Sequence, residues 1–150
     1  MNNPKIHIND NLSFAPSLKE LAASYSGKVV YIDLWGTWCY PCMQEIQYMP
    51  ALKAHFKDSD LVCLYIDRDE DKDDERWKDY VYIHNITGEH VRMTGAQIDQ
   101  IWNELAPGSP KQSYPRYCIL DKNGNLVVDD AKRPSSGENL YDQISSVLGK

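Results

Sequence analysis

Two cysteines three positions apart are the residues of this sequence best suited to chemistry. Cys39 and Cys42 stand in the stretch "WCYPC", with Pro41 between them and Trp38 in front. Cysteines at this spacing can supply half of a zinc site, form a structural disulfide, or exchange electrons as a dithiol/disulfide pair. These three uses make different demands on the rest of the sequence.

The first two uses are poorly supported by the rest of the chain. A tetrahedral zinc site needs two further ligands, usually another close pair. The other cysteines, Cys63 and Cys118, stand alone in predicted strands, and the four histidines form no pair at a zinc-binding spacing. A structural disulfide between residues so close in the chain contributes little stability through chain entropy. We therefore expect neither a metal site nor a structural staple.

A redox pair accounts for the neighbours of both cysteines. The first cysteine lies where a predicted strand runs into a predicted helix, and a helix N-terminus lowers the pKa of a cysteine. Pro41 suits the first turn because it lacks an amide hydrogen that would go unpaired there. We expect Cys39 to be the nucleophile. Cys42, one turn into the helix and less exposed, would resolve the mixed disulfide.

The elements around the pair predict one α/β domain. "KVVYIDLWG" indicates a buried strand over about 29–35, and "LVCLYID" a second apolar strand over 61–67. Helical patterns follow the pair, and Pro50 should kink the first helix. "RYCILDKNGNLVV" predicts a hairpin across Asn123-Gly124. The order of elements predicts a mixed central β-sheet flanked by helices on both faces.

Two later helices carry start signals, and one acidic stretch stands out. Thr94 with Gln97, and Ser135 with Glu138, have the spacing of capping boxes. "DRDEDKDDER" begins like a calcium loop, but Lys72 takes the place of the required glycine. We expect a solvated loop that caps the next helix.

Bulk composition excludes several classes of function. The 150 residues carry a net charge of −6, which argues against binding to nucleic acid or to anionic lipid. No apolar run is long enough to span a bilayer, and "MNNPKIHIND" lacks the apolar core of a signal peptide. The chain is therefore expected to be either a cytoplasmic protein or a fragment of a longer one.

The segment "VVYIDLWGTWCYPCMQE" resembles the thioredoxin superfamily and, within it, the TlpA/ResA-like thiol-disulfide oxidoreductases. A second stretch, "SYPRYCILDKNG", resembles the proline-and-strand segment of that family. The resemblance implies a thioredoxin-like fold over residues 17–150, after an N-terminal lead-in over 1–16. The matching residues are Asp33, Trp35, Gly36, Trp38, Cys39, Pro41, Cys42, Glu45, Pro115, Asp121 and Gly124.

The resemblance also implies roles for individual residues. Asp33 would be the buried acid under the active site, and Glu45 the acid one turn past the second cysteine. Either could take the proton from Cys42. Pro115 would pack in cis against the pair, and the backbone of Tyr114 would pair with an extended substrate segment. The remaining substrate-binding residues would be Trp38, Tyr40 and Pro41.

We therefore predict a thiol-disulfide oxidoreductase that reduces protein disulfides, with no cofactor beyond the Cys39–Cys42 disulfide. Its partners would be a disulfide-containing protein and an upstream thiol-disulfide electron donor, and it would act as a monomer. Family resemblance favours an extracytoplasmic fragment of an exported chain, with a cytoplasmic protein as the alternative.

Two other functions share this fold. A thiol peroxidase would require proline and serine or threonine ahead of its cysteine, where this sequence has Ile32 and Gly36. An interaction domain without turnover often loses one cysteine, whereas both are present here.

Overall fold

A six-stranded mixed sheet forms the centre of the computed structural model, which describes residues 3–109 and 111–150. The strands are β1 (Ile6–Ile8), β2 (Val29–Trp35), β3 (Leu61–Asp67), β4 (Gly88–Arg92), β5 (Arg116–Leu120) and β6 (Leu126–Val128). The helices are α1 (Leu18–Ala22), α2 (Tyr40–Ile46), α3 (Met49–His55), α4 (Asp74–Ile83), α5 (Gly95–Leu105) and α6 (Glu138–Leu148).

β2 lies inside the sheet, where its parallel and antiparallel parts meet. It pairs in parallel with β3 and antiparallel with β5, and all seven of its residues are buried. Parallel pairing continues through β4 to β1, and β5 forms the predicted antiparallel hairpin with β6. The strand order is β1-β4-β3-β2-β5-β6. The predicted mixed sheet is confirmed.

Helices cover both faces of the sheet, as predicted. Successive side chains of β2 point to opposite faces and so contribute to two separate cores. Tyr31 and Trp35 point into a core that α2, α3, α4 and α6 complete. Val30, Ile32 and Leu34 point into the other core, which α1 and α5 complete. Because α2 follows β2 directly, the first core is also the one that contains both cysteines of the pair.

The two strands at one side of the sheet were not predicted. β1 has only three residues and β4 reads "GEHVR", so neither carries a long apolar or alternating pattern. β1 lies within the segment expected to be a lead-in, whose first two residues are outside the described part. Leu12, also in that segment, is buried in the core. The sheet therefore extends into the N-terminal segment.

The helix after the cysteine pair is interrupted rather than kinked. α2 ends at Ile46, and Pro50 lies in the first turn of α3, where its missing amide hydrogen leaves no bond unmade. The prediction that two capping boxes start α5 and α6 with side-chain hydrogen bonds is wrong. Neither Thr94 nor Ser135 caps its helix through its hydroxyl group, and the residue before α6 is Gly137.

The helices of the described residues are all too short or too polar to cross a bilayer.

Candidate active site

The cysteine pair lies where β2 runs into α2. Cys39 occupies the N-cap position of α2, and its Sγ accepts a hydrogen bond from the backbone N–H of Cys42 at 3.3 Å. The two sulfurs form a disulfide, with the Cα atoms 5.3 Å apart. Pro41 stands in the first turn of the helix, as predicted. The strand-to-helix transition thus places the sulfur of Cys39 at the N-terminus of α2 and that of Cys42 in its first turn.

The two cysteines differ in exposure in the predicted direction, although both are largely covered. Cys39 keeps 5% of its surface exposed, whereas Cys42 keeps none. Trp38 and Tyr40, on either side of the first cysteine, are 53% and 66% exposed. Approach to the disulfide is therefore from the side of Cys39, across an aromatic surface.

Asp33 lies on the same face of β2 as Tyr31 and Trp35, so its carboxyl group points into the core that holds the pair. It is buried, and neither carboxyl oxygen has a hydrogen-bond partner among the described residues. Burial raises the pKa of Asp33 well above its usual value, the charge of Glu45 raises it further, and Lys53 partly opposes both. The group therefore stays protonated at pH values where an exposed aspartate is ionised.

Glu45 is buried as well, but its carboxylate is fully engaged. Its two oxygens accept hydrogen bonds from Ser135, one from the backbone N–H at 2.9 Å and one from the hydroxyl at 2.7 Å. These bonds connect α2 to the turn before α6 and explain why the Ser135 hydroxyl does not cap that helix. Sequence reasoning missed Ser135 as a residue of the site because it mimics a helix cap.

The second motif of the sequence meets the first at the surface. The Tyr114–Pro115 bond is cis, as the resemblance implied. The ring of Tyr114 packs edge-on against that of Trp38, with centroids 5.2 Å apart, and its hydroxyl accepts a hydrogen bond from Trp102 Nε1 at 3.0 Å. Tyr114, which precedes the cis-proline, and Trp38, which precedes the cysteine pair, therefore form one continuous aromatic surface. Beside it lies an open cleft of about 320 Å³.

The acidic stretch that begins at Asp67, the last residue of β3, differs from the predicted solvated loop. Asp67 and Asp69 are fully buried. Asp69 accepts hydrogen bonds from the backbone N–H of Thr37 at 3.0 Å and its hydroxyl at 2.8 Å, and from Arg76 at 3.0 Å. These bonds hold the loop between β2 and the cysteine pair. A run of charges does not distinguish its buried members from its exposed ones, so sequence reasoning missed this contact.

No group of three or more potential metal ligands comes together within the described ranges. The remaining cysteines, Cys63 and Cys118, lie in strands β3 and β5, as predicted, and are buried and unpaired. Burial raises the pKa of Cys63 to about 11 and also raises that of Cys118. Both are therefore unreactive thiols near neutral pH, because the thiolate is the reactive form.

Comparison with known proteins assigns the family. The profile of the Redoxin family matches residues 9–144. The chain belongs to the Redoxin family. A curated relative, the thiol-disulfide oxidoreductase ResA of Bacillus anthracis, is 41% identical over 124 residues, which are 83% of this chain and 64% of that protein. The ResA of Bacillus thuringiensis subsp. konkukian is 25% identical over 126 residues, or 84% of this chain and 65% of that protein. The chain thus spans slightly less than two thirds of these relatives.

Solved structures agree with this Redoxin-family assignment. A crystal structure of a protein from Bacteroides vulgatus, described as a thiol-disulfide oxidoreductase, is 35% identical, with a TM-score of 0.64 over 84% of this chain and 82% of that one. The thioredoxin domain of another thiol-disulfide oxidoreductase from Bacteroides vulgatus has a TM-score of 0.68 at 20% identity, covering 84% and 83% of the two chains. The second likeness shows the fold alone. The predicted TlpA/ResA-like member of the thioredoxin superfamily is confirmed.

We predict that Asp33→Asn makes the stability of this Redoxin-family protein less dependent on pH. The folded-state pKa of Asp33 is raised above the unfolded value of 3.8. Its favourable contribution is therefore complete below that value and is lost as pH rises through the folded pKa. The asparagine amide stays neutral at all these pH values. In measurements between about pH 4 and pH 9, the free energy of unfolding of the variant relative to that of the wild type should therefore rise with pH.

Urea unfolding of the oxidised protein across this pH range measures the effect. Asp58→Asn, at an exposed position on the same chain, is the matched control and should follow the wild type. If Asp33→Asn also loses stability in parallel with the wild type, the carboxyl group is not held neutral by burial.

Proposed function

We propose that the protein is a thiol-disulfide oxidoreductase that reduces protein disulfides through Cys39 and Cys42. The observation that carries the proposal is the disulfide at the start of α2, where Cys39 keeps a small exposed surface and Cys42 keeps none. The names of the ResA relatives and of the Bacteroides vulgatus structure support the same chemistry. The cofactor-free reaction needs only this pair of sulfurs.

In the proposed reaction the reduced pair transfers two electrons to the substrate. The Cys39 thiolate attacks one sulfur of the substrate disulfide, so that a mixed disulfide forms and the other substrate sulfur leaves as a thiolate, which takes up a proton. Cys42, deprotonated, then attacks Cys39 Sγ. The mixed disulfide breaks, and the second substrate sulfur leaves as a thiolate, which takes up a proton. The protein returns to the disulfide state seen in the structure.

The local geometry favours Cys39 as the attacking group. As the N-cap residue, its sulfur faces the unpaired amides of the first turn, and the N–H of Cys42 already donates to it at 3.3 Å. Donors aimed at a sulfur stabilise its thiolate form. Cys42 has no exposed surface and so cannot meet a substrate disulfide directly.

Resolution requires a proton acceptor inside the protein, because the Cys42 thiol is shut off from water. The ionised form of Asp33 is suited to this task, because the raised pKa makes its carboxylate a stronger base than that of an exposed aspartate. The group is buried in the same core and has no other hydrogen-bond partner among the described residues. Glu45 is occupied by Ser135 and would act mainly through its charge, which contributes to the raised pKa of Asp33. We propose that the two acids act as a coupled pair.

The surface around Cys39 supports a protein substrate. The exposed rings of Trp38 and Tyr40 flank the cysteine, and the ring of Tyr114 adjoins them. Exposed aromatic side chains clustered at a site are typical of protein contacts. We propose that an extended substrate segment lies across these rings and pairs with the backbone of Tyr114, next to Pro115.

The proposed cycle also implies a second partner. Each turnover leaves the Cys39–Cys42 disulfide, so an upstream thiol-disulfide donor must reduce it again. By its family resemblance the protein would work outside the cytoplasm. We also propose that it acts as a monomer.

We predict that Cys42→Ser accumulates mixed disulfides, because attack by Cys39 proceeds and resolution does not. Cys39→Ser should accumulate none, since the three remaining thiols, Cys42, Cys63 and Cys118, are buried. Incubation of each reduced variant with a disulfide-bonded test protein, followed by acid quenching and non-reducing electrophoresis, measures the adducts. Equal trapping by the two variants would mean that the roles are wrongly assigned.

We predict that Asp33→Asn slows resolution by about a hundredfold or more near neutral pH, because a positioned general base typically contributes about 10²- to 10⁴-fold. Glu45→Gln should slow resolution less than Asp33→Asn does. The loss of activation free energy in the double variant should be smaller than the sum of the two single losses, because the two acids share one task. Stopped-flow measurement between about pH 5 and pH 9 separates attack from resolution. Attack by Cys39 is the internal control and should change by less than about twofold. Unchanged pH profiles in both single variants would leave the acids without a catalytic role.

A further inference from the structure

A second cleft opens at the end of the sheet opposite the cysteine pair. Its volume is about 690 Å³, and it is lined by residues where β3 and β4 begin, together with β1 and the segment before β2. The cysteine pair instead follows the carboxyl end of β2, so the two sites lie at opposite ends of the parallel strands. This volume is within the usual range for sites that bind small molecules.

Positive charge is concentrated in this cleft. Four lysines line it, although the chain as a whole carries a net charge of −6. The one acidic residue of the lining is Glu89, whose carboxylate is already engaged by His7 Nδ1 and by the hydroxyl of Tyr25. The cleft is therefore a local region of positive potential on an acidic protein. The four lysines are Lys5, Lys28, Lys53 and Lys57.

Lys53 is a half-buried lysine whose ammonium group forms no ion pair with a carboxylate of the described residues. Its ammonium group donates to the carbonyl and hydroxyl oxygens of Thr87 and lies 5.2 Å from the centre of the Tyr65 ring. Within residues 3–109 and 111–150 it makes no ion pair, and neither do Lys5 and Lys57. Lys28 alone meets a carboxylate, that of Asp60 at 3.8 Å. A partly desolvated ammonium is stabilised by an anion, and none of the described carboxylates lies within ion-pair distance of Lys53.

Part of the lining is apolar. The side chains of Phe56, Leu61 and Val62 contribute to the walls, and Tyr25 adds an aromatic ring. An inorganic anion would leave these walls in contact with water, whereas a ligand with an apolar body would cover them.

From these observations we propose that the cleft binds a small organic anion, with a carboxylate or phosphate group directed at Lys53 and Lys57 and an apolar body against Phe56 and Leu61. This goes beyond the thiol-disulfide activity, and it shares no residue with the catalytic pair. The proposal and the redox function can therefore fail independently of each other.

NMR titration of the ¹⁵N-labelled protein with four probes tests the proposal. Benzoate and phenyl phosphate carry the two candidate anionic groups on one apolar ring, benzamide carries the ring without charge, and inorganic phosphate carries the charge without the ring. We expect saturable shifts of the Lys57, Val62 and Gly88 amides with one or both organic anions. Benzamide and inorganic phosphate should bind at least about tenfold more weakly, because each lacks one of the two contributions. The organic anion that binds more tightly identifies the preferred head group.

A charge reversal at an exposed lysine supplies the matched control. Lys57→Glu should weaken binding of the organic anion by about tenfold or more, whereas Lys72→Glu, the same change at an exposed position outside the cleft, should have no such effect. Both variants should keep the wild-type amide spectrum elsewhere and wild-type thiol-disulfide turnover. Absence of saturable shifts with both organic anions, equal binding of benzamide, or unchanged binding by Lys57→Glu would overturn the proposal.

Discussion

A carboxyl group buried without a hydrogen-bond partner among the described residues is the constraint on which the rest of this structure depends. Asp33 lies in β2, a strand with all seven residues buried and a neighbour on each side. An ionised carboxylate in such a place would be very costly, so the group is held neutral over a wider pH range than an exposed aspartate. Only a strand in the interior of the sheet, covered on both faces by helices, provides this environment. The same strand leads directly to the cysteine pair.

Three contacts from distant parts of the chain then hold the segment that follows β2. Asp69 binds Thr37 in front of the pair, Tyr114 packs against Trp38 beside it, and Ser135 binds Glu45 behind it. Each contact comes from a different element of the fold. The position of the sulfurs is therefore set by tertiary structure, and the seven-residue helix α2 alone would be too short to be stable.

The parts of the fold that were predictable are those that leave a pattern in the sequence. β2 and β3 are continuous apolar runs, the hairpin has its Asn-Gly turn, and an acid within an apolar run signals a buried carboxyl group. β1 and β4 are short and partly polar, so they leave no such pattern. In the sequence, Ser135 resembles a helix cap and Asp69 resembles a solvated charge. Each has a role set by a hydrogen-bond partner that lies far away in the chain. The lysines of the second cleft are likewise scattered over three segments before folding brings them together.

The reduction potential of the Cys39/Cys42 couple is the most direct test of the central claim, that this pair exchanges electrons with protein disulfides as a reductant. Equilibration with glutathione and dithiothreitol series, followed by quantification of free thiols, measures it. A reversible two-electron couple between about −300 and −200 mV is expected, the range of reducing dithiol proteins. A potential well below about −300 mV would indicate a structural disulfide, and one near about −120 mV an oxidant. Either value would contradict the account.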